Sequence, residues 1–67
     1  MNTKLFRSMM ILNNDTNRTL AEFLDISEVS VSNKINENGT EFKQGEIAMI
    51  KERYGLSAEQ VEAIFFN

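Results

Sequence analysis

The sequence contains no cysteine, histidine, proline or tryptophan, and only three of its 67 residues are glycine. Without cysteine or histidine the chain cannot form disulfides or the usual zinc sites, and it has no thiol or imidazole for catalysis. The remaining residues show no nucleophile paired with a base. We therefore expect a protein that is not an enzyme and that binds no metal or cofactor.

Long apolar runs are also missing. No stretch approaches the roughly 20 apolar residues that span a membrane, and no basic segment leads into a secretion signal. We expect a soluble, cytoplasmic protein without a membrane partner. The length predicts a single domain over residues 1–67. A domain of this size buries only about 60% of its unfolded surface, so it needs well-packed helices or a partner subunit.

Basic residues are in the minority, with a net charge of −3. Taken alone, this acidity argues against nucleic-acid binding, which usually requires a basic patch. The acidic excess lies in residues 37–67, whereas residues 1–36 carry equal numbers of acidic and basic side chains. Because a polyanion responds to the local field of one face, the N-terminal half could still bind one.

The apolar residues that are present recur at helical spacing nearly throughout the chain. Helices are predicted over 3–12, 17–24, 28–36 and 44–54, and a fifth begins after Ser57 and runs to the chain end. The predicted inward residues, taken helix by helix, are Leu5, Met9 and Leu12; Leu20, Ala21 and Leu24; Val31 and Ile35; Ile47, Ile50 and Tyr54; and Val61, Ile64 and Phe65. A short strand over Ile26–Val31 is the rival interpretation.

Polar residues mark the predicted helix ends. Thr16, Ser27 and Ser57 are natural N-caps, and Ser57 forms a capping box with Gln60. Gly55 has the usual position of a residue that ends a helix. The polar segment 36–40 is the clearest loop, and Phe42 follows it as an apolar plug.

The segment from Asn17 to Asn36 carries the functional signal. Ala21 is small enough to let two helices cross closely, Ile26 can fill the turn between them, and Val31 can pack back against Ala21. A small residue, a turn plug and an inward aliphatic at this spacing are what a helix-turn-helix requires.

Residues 16–36 resemble the helix-turn-helix of the phage repressor and Cro family, also called the XRE-like family. Residues 41–47 and 54–66 are similar to the fourth and fifth helices of small regulators from phages and prophages of Gram-positive bacteria. The resemblance implies an all-α, lambda-repressor-like domain of five short helices. It also implies a Cro-like protein or a repressor's DNA-binding domain that regulates transcription by binding a double-stranded DNA operator in a bacterial host cell, as a homodimer.

Three residues depart from the pattern of that family. Asp25 stands where the turn usually has glycine, at some conformational cost. Lys34 stands where many members have an inward aliphatic residue. Lys43 stands where a threonine often caps the fourth helix. A cation near a helix N-terminus is unfavourable unless an anion binds there.

The resemblance implies two sets of DNA contacts, and the two consecutive aromatic residues of the fifth helix predict a dimer interface. Glu28, Val29, Ser32 and Asn33 would face the bases; Asn17, Arg18, Lys34, Asn36 and Lys43 would contact phosphates; and Phe65 and Phe66 would form the dimer interface. An Asn can pair with adenine, a Val can touch a thymine methyl, and a Glu can accept from cytosine N4. Because Phe65 and Phe66 are consecutive, they cannot both face one core. The plain alternative is a solvated polar helix face with ordinary surface cations.

A second function from another class stays open. The same fold could serve as a protein-interaction module, such as an antirepressor that binds a partner repressor. The net charge of −3 and the position of Glu28 on the third helix favour that alternative.

Overall fold

Five helices account for most of the computed structural model, which describes residues 1–66. They are α1 (Thr3–Leu12), α2 (Asn17–Leu24), α3 (Glu28–Ile35), α4 (Gln44–Tyr54) and α5 (Ala58–Phe65). Residues 1–66 contain no strand, and none of their helices is long and apolar enough to cross a membrane. The all-α prediction with five helices is confirmed. Asn67, at the predicted end of the fifth helix, lies outside the described residues.

Local hydrogen bonds set the helix starts as predicted. The side chain of Thr16 accepts a hydrogen bond from the Thr19 N–H, and the Thr19 hydroxyl oxygen accepts one from the Thr16 N–H. Ser57 and Gln60 form the same reciprocal pair at the start of α5. Each pair satisfies N–H groups that the first turn of a helix leaves without a partner.

Two residues with left-handed backbone end α2 and α4. Gly55 follows α4 at φ 64°, where glycine has no steric penalty. Asp25 follows α2 at φ 58° and ψ 44°, a left-handed conformation that glycine adopts at less cost. Asp is one of the few residues that visits this region as a single residue.

The core forms where all five helices meet. Its fully buried side chains include Phe6, Leu20, Val31, Ile35, Ile50 and Ile64. An aromatic cluster lies within it: Phe6 packs edge-on against Phe42 with ring centroids 5.4 Å apart, and Phe65 lies within 6.1 Å of both rings. The prediction that Phe42 plugs the end of the 36–40 loop is confirmed.

The predicted inward face of α1 is wrong by one residue. Phe6 and Met10 are the buried residues of this helix, Leu5 and Met9 lie only at the edge of the core, and Leu12 is 73% exposed. The sequence from Met9 to Leu12 is entirely apolar, so its spacing fits either phase. The phase is decided by Phe6, because a ring of that size gains most by packing against the other aromatic side chains.

The α2 and α3 helices pack against each other across a turn of three residues, 25–27. Leu20 and Ala21 of α2 and Val31 of α3 are all buried. Ile26 in the turn packs against the core, and its N–H donates to the Ala21 carbonyl at 3.0 Å. The buried positions predicted for these two helices are confirmed.

A buried carboxylate joins the α1–α2 turn to the end of α4. Asp15 accepts hydrogen bonds from Arg53 Nε at 2.9 Å, from Arg53 at a second nitrogen at 3.0 Å, from the Tyr54 hydroxyl at 2.6 Å and from the Thr19 hydroxyl. The Arg53 guanidinium also lies over the Phe23 ring, 4.4 Å from its centroid. This cluster of five residues, the Asp15 network, ties α1, α2 and α4 together.

The Asp15 network makes stability depend on acid pH. Burial raises the pKa of Asp15, but the hydrogen bonds from Arg53, Thr19 and Tyr54 outweigh burial and hold its pKa at about 2, below the ordinary 3.8. A carboxyl whose pKa is lowered by folding stabilises the folded state above its unfolded pKa. That contribution, about 2 kcal/mol, is fully present above pH 4 to 5 and is lost as the pH falls towards 2.

We expect Asp15→Asn to lower the free energy of unfolding at neutral pH by about 2–3 kcal/mol, because it removes the charge from a buried carboxylate that accepts hydrogen bonds from Arg53, Tyr54 and Thr19. Urea titrations at several pH values would measure this. The variant should also lose less stability than the wild type between pH 5 and 2. Glu59→Gln, at an exposed position of α5, is the control. Equal stability and equal acid sensitivity of the Asp15 variant and the wild type would contradict the role of the network.

Candidate nucleic-acid interface

The four predicted base-reading residues share one side of α3. Glu28 and Val29 are exposed, and Ser32 and Asn33 are half-buried. Their spacing of one, three and one residues places them within an arc of about 140° on a helix of 3.6 residues per turn. Val31, Lys34 and Ile35 are buried on the rest of the helix circumference, with Ile35 next to Glu28, so packing fixes which residues face outward.

The chemistry of this α3 face is mixed. It offers one carboxylate, one exposed aliphatic side chain, one hydroxyl and one carboxamide, which together can donate, accept and make an apolar contact. Such a set matches the varied edges of base pairs in a major groove. The exposed Val29, at 68% exposure, has no structural task in the core.

Of the residues predicted to contact phosphates, all but one are accessible at the surface. Arg18 is exposed, and its pair with Glu22 at 3.4 Å joins two largely solvated side chains, so the guanidinium can exchange that partner at little cost. Asn17 begins α2, and Asn36 is exposed at the end of α3. Lys43 is exposed before α4 and makes no capping hydrogen bond with its side chain, as the sequence predicted.

Lys34 is the exception and requires a correction. It is only 7% exposed. Its ammonium donates to Glu46 Oε1 at 3.0 Å and to the Glu41 carbonyl at 3.4 Å. A buried ammonium that is already paired cannot reach a phosphate without breaking this pair. We therefore leave Lys34 out of the phosphate contacts.

The Lys34–Glu46 pair instead joins α3 to α4. The same Glu46 oxygen accepts the Lys43 N–H at 2.8 Å, so one carboxylate holds the end of α3 and the start of α4. Burial raises the pKa of Glu46. The Lys43 N–H and the Lys34 ammonium lower it by more, so the pKa of Glu46 lies below its usual value. Lys34 and Glu46 thereby fix the spacing between the α3 face and Lys43.

The burial of Lys34 changes the balance of charge at the exposed positions of residues 16–43. Over residues 16–43, the exposed cations are Arg18 and Lys43. The exposed carboxylates in the same range are Glu22, Asp25, Glu28, Glu37 and Glu41. Two exposed cations among five exposed carboxylates make a weaker attraction for phosphate than the sequence predicted.

The two C-terminal aromatic residues have different environments, as the sequence predicted. Phe65 is half-buried against Phe6 and Phe42, so it completes the core. Phe66 is 65% exposed and borders a groove of about 420 Å³ that Ile47 and Phe65 also line. Of the two residues predicted for a dimer interface, Phe66 is the one whose ring is available to a partner.

Sequence reasoning missed both buried ion pairs. The sequence has Lys34 at a position where the resemblance predicts an inward aliphatic residue, and a buried lysine needs a carboxylate partner. Glu46 lies 12 residues away from it, and nothing in the spacing selects Glu46 over the other acidic residues. Asp15 and Arg53 are 38 residues apart, and the sequence around Asp15 is typical of an ordinary polar turn.

Glu46→Leu should lower the free energy of unfolding by about 3 kcal/mol, because the buried Lys34 ammonium loses its carboxylate and keeps only the Glu41 carbonyl. Adding Lys34→Met should recover most of this loss, since a buried ion pair can be replaced by apolar residues of similar volume. Denaturant unfolding of the two single variants, the double variant and the exposed-site control Glu41→Gln would test this. Additive effects would show that the two residues do not interact.

Comparison with known protein families, curated proteins and solved structures found no significant match to this chain. Its function is therefore inferred from its own residues and their geometry.

Proposed function

We propose that this protein binds double-stranded DNA in a sequence-specific manner and regulates transcription in a bacterial host cell. The observation that carries the proposal is the α2–α3 unit. Two eight-residue helices pack against each other across a three-residue turn, the first buries Leu20, Ala21 and Leu24, and the second presents a mixed polar face that its buried residues hold in place. A helix in this arrangement can enter a major groove while the first helix lies across the backbone.

The proposed roles follow from exposure and chemistry. Asn33, Val29, Ser32 and Glu28 face the bases, and Asn33 is suited to a bidentate contact with adenine. Arg18 and Lys43 contact phosphates, aided by Asn17 at the start of α2 and Asn36 at the end of α3. Helix N-termini favour anions, so Lys43 and the first turn of α4 together suit a phosphate oxygen.

A homodimer completes the proposal. One domain of this size presents a single α3 helix, and a two-fold pair would double both the base contacts and the phosphate contacts. The exposed Phe66 beside Ile47 supports this, because large aromatic residues at the centre of an interface carry much of the binding energy. The partner is then a second copy of the chain on a two-fold DNA site.

A second candidate function is supported by the charge of the same region. With Lys34 buried, carboxylates outnumber cations at the exposed positions of residues 16–43. An acidic helix-turn-helix surface suits a basic protein partner, such as a repressor whose own DNA-binding face is basic. In that case Glu28 would be a central contact.

Selection from a random-sequence duplex library at low salt, followed by salt titration of the enriched site, tests the DNA proposal. Arg18 and Lys43 give about four phosphate contacts in a dimer, so the log–log slope of affinity against salt should be about −3.5. Lys43→Ala should weaken binding to every sequence and flatten the slope. Asn33→Ala should keep the slope but cost about 1–3 kcal/mol at one base pair per half-site.

One variant serves as a control for this measurement. Lys51→Ala removes an exposed cation from the last turn of α4, far from Lys43 along the helix, and should leave the affinity nearly unchanged. Failure to enrich any sequence at low salt would exclude the DNA proposal and favour the protein partner, with Glu28→Gln as the next variant.

Phe66→Ser should weaken self-association at least tenfold while changing the free energy of unfolding by less than about 1 kcal/mol, because an exposed ring adds little to the core. Sedimentation with and without the selected DNA would measure the association. Ile11→Ser is a matched control, since Ile11 is 75% exposed near the end of α1. A wild-type chain that remains monomeric on DNA, or equal effects of the two variants, would refute the dimer.

A further inference from the structure

The loop between α3 and α4 contains an asparagine followed directly by a glycine. Asn38 and Gly39 lie within residues 36–41, which are exposed without interruption. Gly39 has a φ of +76°, and no atom lies within 4 Å of the place where a Cβ would stand. The Gly39 Cα therefore borders open space, within a loop that is exposed on both sides of it.

We propose that Asn38 is a site of spontaneous covalent modification, at which its side-chain amide is lost by attack from the Gly39 backbone nitrogen. The Gly39 nitrogen gives up its proton to hydroxide and bonds to the Asn38 Cγ. The bond from Cγ to the amide nitrogen breaks, and that nitrogen takes a proton from water and leaves as ammonia. Water then opens the five-membered succinimide ring at either carbonyl, which yields aspartate or isoaspartate at position 38 without any oxidant or enzyme.

Sequence and local geometry favour Asn38 over Asn2, Asn13 and Asn36. A glycine is the successor that hinders ring closure least, because it has no side chain and adopts backbone angles that other residues avoid. Asn2 accepts the Leu5 N–H with its side chain, and Asn13 donates its side-chain amide to the Met9 carbonyl, so both are held in helix caps. Asn36 lies in the same loop but precedes a glutamate.

One hydrogen bond opposes the reaction and makes it sensitive to loop opening. The Gly39 N–H donates to the Glu37 carbonyl at 3.0 Å. This bond must break before the nitrogen can lose its proton. Because hydroxide removes that proton, the rate should rise with pH above neutrality.

Modification at Asn38 would alter the end of α3. The Asn38 N–H donates to the Asn33 carbonyl at 2.9 Å, and Glu37 beside it adopts left-handed backbone at φ 54°, so these residues close the C-terminal turn of the helix. Isoaspartate inserts a methylene into the main chain directly after this closing bond and adds a carboxylate between Glu37 and Glu41. The loop to Phe42 and Lys43 becomes longer and more acidic.

The effect on DNA binding rests on the proposed function, whereas the modification itself does not. If Asn33 and Lys43 both contact DNA, a changed loop between them disturbs their spacing, and the new negative charge repels phosphate. The modified chain should then bind its selected DNA site at least tenfold more weakly than the fresh chain.

Incubation of the full chain in mildly alkaline buffer, followed by peptide mass spectrometry, tests the modification. We expect the peptide with Asn38 to lose ammonia and then gain water, with isoaspartate identified by an isoaspartyl methyltransferase. Conversion at Asn38 should exceed that at Asn36 by an order of magnitude. Asn38→Gln is the matched control, because its longer side chain would have to close a less favourable six-membered ring.

The outcomes separate the two claims. An intact Asn38 amide after incubation, or conversion no faster than at Asn36, overturns the modification. The incubated wild type can also be compared with the incubated Asn38→Gln variant. If Asn38 has converted but the two chains bind DNA equally well, the modification stands and its effect on binding is overturned. Conversion in a chain that binds no DNA even when fresh supports the modification while the proposed function fails.

Discussion

The structure depends most on the buried Asp15 carboxylate. It accepts hydrogen bonds from groups on α2 and α4 while its own backbone belongs to the α1–α2 turn. Arg53, held by this carboxylate, lies in turn over the Phe23 ring of α2. A chain without disulfides or metals has few means to fix the angle between short helices. Here one satisfied charge fixes three of them, and α3 takes its position from α2 against which it packs.

The second buried pair extends this arrangement to the candidate interface. Lys34 and Glu46 connect α3 to α4 across the exposed loop, and Phe42 closes the core beneath it. Buried ion pairs add little net stability compared with apolar side chains of the same volume, because desolvation offsets the attraction. Their value lies in geometry, since an unpaired partner is costly and only one helix arrangement satisfies both charges. The α3 face and Lys43 therefore keep a defined separation.

The small number of exposed cations near α3 also affects what the protein can bind. Most of the acidic residues are solvated, and exposed cations are few near α3. In the proposed function, specific contacts at base edges would therefore matter more than general attraction to phosphate. The same excess of exposed carboxylates would attract a basic protein surface, so the two proposed functions compete for one face.

Local rules in the sequence determined the helix bounds, the caps and the all-α class, because capping hydrogen bonds and apolar spacing act within a few residues of Thr16, Ser27 and Ser57. They also identified the buried side of α2 and α3 and the separate environments of Phe65 and Phe66. Only the tertiary structure decided the phase of α1, since the apolar run from Met9 to Leu12 fits two rotations. It alone paired Asp15 with Arg53 and Lys34 with Glu46. Partners distant in sequence are selected by how the helices pack, and any acidic or basic residue at the surface is an equal candidate until that packing is known.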